Sequence, residues 1–402
     1  MTSNVEFDWR SAAAEWSLRS DAIYLNHGSF GPPPRAVIAA RTAIQRALDE
    51  EPMDYFVRQY EPAWFAAREG LAKFVGTSAT NLAFVENATA GMNVVAESHP
   101  LSDGDEVLIN NHEYGAVMRI WERRCQRSGA KLVCAPLPEH FVDVGQVVEA
   151  IFRPATMRTR LLVVSHITSP TAIIMPLAEI AAEAKRRGIA VCVDGPHALL
   201  QLDVDIDRLG VDYYVASCHK WLCAPFGSGF VMATPEHQGT MRPPQLSWGR
   251  VRGEDRRVWS DEFVWSGTRD PSPYLTVPTA IEFFHRFGVA AVRQRMYELA
   301  MHARHMLVSE LGTSPITRND HHWYGSMAHV PLPPTRYDGS RTEELRAAAH
   351  RLQRMLWDRE RIEAPIVAFE GKLYIRVSCH VYNSESQVEL LASTLKKALG
   401  DF

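Results

Sequence analysis

Between Thr80 and about residue 235 the chain repeats one pattern: a short apolar run, then, in most cases, a stretch whose apolar residues recur at helical spacing. The strand candidates are 82–85, 106–109, 131–134, 160–164, 190–193, 212–215 and 228–232. Runs this apolar have no polar face to offer water, so a sheet built from them must be covered on both sides. Strands joined through helix-length connections run parallel to one another. The chain therefore reads as α/β, with a mostly parallel seven-stranded sheet. In such sheets ligands gather beyond the carboxyl ends of the strands.

The flanking segments read differently. Trp9, Ala13 and Trp16 have helical spacing, Ile23 to Leu25 begin an extended segment, and HGSFGPPPRAV is a loop before a helix at 34–50. Trp64, Ala67, Leu71 and Phe74 mark an amphipathic helix over 62–75. Residues 235–265 are rich in Pro, Arg and Trp and read as a long loop. A helix is expected from Pro278 through Val292 toward Leu307, and 326–398 alternate short strands with two helices. This predicts a large domain over 20–277 and a smaller α+β domain over 278–402, the latter joined by the segment 1–19.

With 402 residues, 46% of them hydrophobic, the chain has material for a large core, and a net charge of −4 gives no pull toward nucleic acid. The first residues lack the basic-then-apolar pattern of a secretory signal. No apolar run approaches the roughly 20 residues a membrane-spanning helix needs, so a cytoplasmic protein without a membrane partner is expected. The six cysteines, Cys125, Cys134, Cys192, Cys218, Cys223 and Cys379, show no framework spacing and read as reduced thiols. Cys218, His219 and Cys223 have no second ligand pair at zinc-like spacing, and no metal is expected.

Three stretches carry chemistry. In YYVASCHKWLCAPFGSGF, Lys220 follows a strand-like run and precedes a glycine-bearing turn. Desolvation disfavours an ammonium, so a lysine held there is able to add to an aldehyde near neutral pH. In AVCVDGPHALLQL an apolar run ends in Asp194, a carboxylate that is costly unless a cation meets it; the protonated ring nitrogen of pyridoxal phosphate is such a cation. In LAFVENATAGMNVV, Asn87, Ala88 and Thr89 open a helix after a strand, and backbone N–H groups beside a threonine hydroxyl suit a phosphate. Taken singly, these are equally a surface lysine, a strand-end acid and an ordinary N-cap. Their order along one chain is more specific.

In that context the chain resembles the class V aminotransferase group of fold-type I pyridoxal phosphate enzymes. The similarity runs through YLNHGSFGPPPRAV at 24–37, EEPMDYFVRQ at 50–59, NHEYGAVMRIWERR at 111–124, SHITSPTAIIMP at 165–176, VDGPHA at 193–198, SCHKWLCAPFGSGF at 217–230, WSGTRDPSPYLTVPTAI at 265–281 and RVSCHVYN at 376–383. The resemblance implies pyridoxal phosphate as cofactor and a last strand of the large sheet that runs antiparallel. It assigns Lys220 the bond to the cofactor, Asp194 the ring nitrogen, and Ala88, Thr89, Ser217 and His219 the phosphate. His197 lies where a side chain donates to the phenolic oxygen, and His166 near that oxygen or the substrate carboxylate. Asn26, His27 and Gly28 fall at the substrate mouth. Tyr114 is expected over the outer face of the ring, with His112 its rival. Arg376 matches the grip on the substrate α-carboxylate. Thr268 matches a residue that reaches a partner's phosphate, which implies a homodimer with shared sites.

Within that group the similarity is strongest to amino-acid epimerases, in which removal of the α-proton by Lys220 is followed by protonation of the opposite face. A β-eliminating C–S lyase and an aminotransferase are the enzymatic alternatives, and a cofactor-binding module without activity the non-enzymatic one. The presence of both Lys220 and Asp194 speaks against the module. A cysteine desulfurase needs a cysteine shortly before the carboxylate arginine, and RIEAPIVAFEGKLYIR at 361–376 contains none.

Overall fold

A computed structural model describes residues 9–249 and 258–402; the sequence readings for 1–8 and 250–257 lie outside them. After a two-residue strand β1 (Ile23–Tyr24), all seven strand candidates are present, as β2 (Leu82–Val85), β3 (Glu106–Asn110), β4 (Lys131–Ala135), β5 (Thr159–Ser165), β6 (Ala190–Asp194), β7 (Tyr213–Ser217) and β8 (Gly229–Ala233). They form one sheet in the order β2-β8-β7-β6-β5-β3-β4. Pairings among β3 to β7 are parallel, and β8 runs antiparallel to both β7 and β2.

The period-two alternation of these strands decides where their side chains go. Leu108, Leu162, Val164, Val191, Val193 and Tyr214 enter one buried cluster with Trp64, Leu71 and Phe284. Their chain neighbours Val107, Ile109, Leu161, Val163, Cys192 and Tyr213 enter another, on the opposite face, with Met92, Val95 and Trp121. A third cluster gathers Leu25, Leu299, Leu307, Leu352, Ile375 and Leu391. It lies about an antiparallel sheet β11-β12-β9, made of β9 (Met327–Pro331), β11 (Ile366–Phe369) and β12 (Lys372–Ser378). The N-terminal segment reaches this region because β1 pairs in parallel with β10 (Ile362–Glu363).

Two local expectations are corrected. The single helix expected from Pro278 toward Leu307 is two helices, Val277–Phe287 and Val289–Leu311, broken at Gly288, whose φ of +76° leaves the helical region. Among the described residues the N-terminal helix covers Trp9–Ala13 and does not extend to Trp16, since the chain turns after Ala13 and buries Trp16 against Phe283 and Tyr382, its Nε1–H donating to the Pro32 carbonyl at 2.9 Å. Among the described residues no helix is long and apolar enough to cross a membrane, and all six cysteines are free.

Asp194 closes β6, and the next residue must be small. A Cβ on Gly195 would lie 2.2 Å from the Tyr214 ring on the neighbouring strand, and that ring is held by a 2.9 Å hydrogen bond to His166 Nδ1. Gly195→Ala should therefore destabilise by about 1–3 kcal/mol through overpacking, read as a lower urea midpoint at unchanged slope. An unchanged midpoint would show that Tyr214 is free to move.

Candidate active site

The carboxyl ends of β2, β3, β5, β6 and β7 open on one cavity of about 310 Å³. Eleven of the residues singled out above line it: Lys220 and Asp194, Asn87, Ala88 and Thr89, Ser217 and His219, His197, Tyr114, Arg376 and Gly28. The loop that carries Gly28, before the first long helix, adds Ser29 and Phe30.

In this wall Asp194 is buried and Lys220 half-buried. Burial lowers the Lys220 ammonium's pKa, with the Asp194 carboxylate opposing and the Arg376 guanidinium adding to the shift. Burial raises the Asp194 carboxyl, with Lys220 opposing. Desolvation is the largest cause for each group, so the amine is held closer to its nucleophilic form than an exposed lysine would be. His197 Nε2 lies 3.4 Å from Lys220 Nζ. The indole Nε1–H of Trp221, a donor only, points at His197 Nδ1 at 3.3 Å. Burial keeps His197 neutral, so its proton sits on Nε2, directed into the cavity.

The phosphate end is built from two strand exits. Asn87 caps the helix Ala88–Ser98, its side chain accepting from Ala90 N–H, so the ordinary capping role is present as well. Ala88 N–H donates to Ser217 Oγ at 2.9 Å, leaving the Ser217 O–H to point elsewhere. His219 Nδ1 is buried without a hydrogen-bond partner. The His219 side chain lines the cavity together with Ala88 and Thr89, whose first-turn N–H groups suit an anion.

Arg376 is 7% exposed, and no carboxylate of the described residues pairs with it. Nη1 donates to the Ser169 carbonyl and Nη2 to Ser29 Oγ at 3.2 Å, while Nε has no partner. Ser29 Oγ in turn donates to Asn26 Oδ1 at 2.6 Å, so Asn26 reaches the guanidinium through Ser29. Ser29 and Ser169 were not singled out from sequence. Each sits inside a motif that was, but nothing local marks a serine or a backbone carbonyl as an arginine partner.

Four other candidates lie off the cavity wall. His27 is fully buried between Tyr382 and the Lys220 backbone. His112 hydrogen-bonds Thr171 Oγ1 at 2.8 Å and packs its ring on Phe369 and Phe141, so of the two rivals it is Tyr114 that faces the cavity. His166 is committed to Tyr214. Thr268 is exposed on the surface.

The chain belongs to the aminotransferase class V family, whose model matches residues 47–338. Among curated proteins it is 38% identical to the isopenicillin N epimerase of Amycolatopsis lactamdurans, over 97% of this chain and 98% of that one. It is 35% identical to the isopenicillin N epimerase of Streptomyces clavuligerus, over 98% and 99%. Among solved structures, that of the cystine C–S lyase C-DES with its product cysteine persulfide superposes with a TM-score of 0.79 at 21% identity, covering 94% of this chain and 98% of that one. The family's cofactor is pyridoxal phosphate, and the donor set fits it: a half-buried amine, a buried carboxylate and an anion cradle of first-turn N–H groups beside Ser217 and His219 surround one cavity.

Glu113, next to Tyr114, also went unnoticed. Its carboxyl accepts from Ser165 N–H, Ser165 Oγ and Asn110 Nδ2 at 2.6–2.7 Å, yet burial outweighs these donors and lifts its pKa from 4.5 to about 7. A folded-state pKa above the unfolded value means the native protein keeps a proton that the unfolded chain releases. The contribution to stability is full below about 4.5 and is lost as the pH rises through about 7. Glu113→Gln should remove this slope, so the variant's urea midpoint gains on the parent's as the pH rises across that window. Parallel curves would contradict it.

Proposed function

We propose that this chain is a pyridoxal phosphate-dependent amino-acid epimerase acting on isopenicillin N or a close relative. The observation that carries the reading is end-to-end identity of 35–38% with two isopenicillin N epimerases, combined with a cavity that holds Lys220, Tyr114 and Arg376 together. When bound, pyridoxal phosphate supplies an electron-withdrawing ring that acidifies the α-C–H of an attached amino acid. The Asp194 carboxylate keeps a proton on the ring nitrogen, and the Ala88–Thr89 turn with Ser217 and His219 holds the phosphate. Arg376 clamps the α-carboxylate through its planar fork.

Lys220 Nζ takes the α-proton from one face. The Tyr114 hydroxyl gives its proton to the carbon from the other and recovers one from solvent, which its half-exposed ring can reach. A homodimer in which Thr268 serves the neighbouring phosphate is part of the proposal, as is a cytoplasmic location; the exposed position of Thr268 supports the first. Absence of a cysteine from 361–376 and complete burial of Cys379 weigh against a desulfurase.

In deuterated buffer the epimer formed from isopenicillin N should carry deuterium at the inverted α-carbon, with no keto acid released, and Lys220→Ala should abolish the exchange. Pyruvate formation from cysteine conjugates without epimer would assign the chain to the C–S lyases instead. Mixing inactive Lys220→Ala and Thr268→Val chains should restore part of the activity through heterodimers, and no restoration would remove the shared-site element.

A further inference from the structure

Against the Lys220 backbone, off the cavity wall, is a buried group with no assigned part in the reaction. His27 Nε2 lies 3.1 Å from the backbone carbonyl of Lys220, and His27 Nδ1 lies 2.7 Å from the Tyr382 hydroxyl. A carbonyl only accepts, so Nε2 carries the ring proton and donates it. In a neutral imidazole Nδ1 is then the acceptor, and Tyr382 O–H donates to it. All hydrogen-bonding capacity of the ring is used, and its direction runs from Tyr382 through His27 to Lys220.

Both ends of this relay are anchored. Tyr382 follows β12, and His27 follows β1, where the segment is tied to β12 by Ser378 N–H donating to the Leu25 carbonyl at 2.8 Å and by the Asn26–Ser378 bridge. On the other side the Lys220 carbonyl also accepts from Cys223 N–H at 3.1 Å. The neighbouring peptide is held as well, Gly31 N–H donating to the His219 carbonyl at 3.1 Å. Gly31 passes so close that a Cβ there would sit 1.9 Å from the Lys220 carbonyl oxygen. The lysine's peptide is therefore held by the N-terminal segment, which Tyr382 and Ser378 tie in turn to the C-terminal one.

We propose that His27, oriented by Tyr382, is a positioning residue for Lys220. It fixes the peptide from which the reactive amine extends, so that Nζ is delivered to one face of the bound substrate. His27 touches neither substrate nor cofactor in this arrangement, and it acts only through Lys220. The same ring lies within 4.8 Å of Cys223 Sγ and a His380 nitrogen, a set with metal-ligand chemistry. A metal on Nε2 would displace the donated proton, so the relay and a metal at this place exclude each other.

The inference rests on the reading of Lys220 as the cofactor-bearing residue. The test uses full-length holoprotein with bound pyridoxal phosphate and compares His27→Gln, His27→Leu and Tyr382→Phe. Glutamine retains an N–H near the position of Nε2, and leucine does not. Two quantities are read: the pH midpoint at which the visible band of the bound cofactor changes, and the split between kcat and KM for α-deuterium exchange. With His27→Leu the midpoint should move by about half a unit or more. Its kcat should fall about tenfold to a hundredfold, with KM within about twofold, as expected for a misplaced reacting group.

His27→Gln should recover most of both effects, and Tyr382→Phe should show a smaller change in the same direction. Equal losses in the Gln and Leu variants, an unmoved midpoint, or stoichiometric metal in the wild-type protein would overturn the proposal. If His27→Leu does not accumulate folded, Tyr382→Phe decides alone, and an unmoved midpoint in it overturns the relay. Borohydride fixing the cofactor to a lysine other than Lys220 would instead show that the reading of Lys220 is wrong, an outcome separate from failure of the relay.

Discussion

The withdrawal of Lys220 and Asp194 from water at the end of one sheet is the constraint on which the rest of the structure depends. An unpaired ion in such a place costs several kcal/mol even after relaxation, and here an ammonium and a carboxylate share the cost in one wall. Keeping them there requires rigid supports. The parallel strands provide these by burying both faces, so that β6 and β7 cannot slip without turning apolar side chains to the wrong side. What remains free is the chemistry at the strand ends.

The polar atoms left over around that pair describe the ligand more closely than the fold does. His219 and Arg376 line the same cavity from its two strand systems, and His219 Nδ1 and Arg376 Nε have no partner among the described residues. A buried guanidinium with no carboxylate partner among the described residues suits a carboxylate at one end of the cavity, and first-turn N–H groups beside a neutral imidazole suit a phosphate at the other. The remaining polar groups are turned inward to hold these: Ser29 and Asn26 behind Arg376, Trp221 behind His197, Ser165 and Asn110 about Glu113. Arg376 arrives on the small antiparallel sheet and Asp194 on the large one, so the cavity exists only where the two systems meet.

How much of this was legible in the sequence depends on the range of the interaction responsible. The seven strands were, because short continuous apolar runs are set within a few residues. The break at Gly288 was not, since a single glycine inside an otherwise helical pattern does not announce a left-handed φ. Lys220, Asp194 and the Asn87–Thr89 turn stood out because each is a polar residue ending an apolar run. His112 and Tyr114 lie two residues apart in one short motif, and no local rule says which side chain turns to the cavity. Packing of His112 on Phe369, more than 250 residues away, settles their orientation.

The sequence by itself thus determined the class of fold, the order of the strands along the chain and the chemical types available at their ends, all of which follow from short-range patterning and from the cost of burying polar groups. Only the tertiary structure decided which of those groups share a cavity and which serve as supports. His27 shows the difference: its motif places it at the mouth of the site, whereas the pairing of β1 with β10 and of Asn26 with Ser378 carries it beneath the Lys220 peptide. The direction of a side chain there is set by partners at the far end of the chain, and short-range patterns hold no record of them.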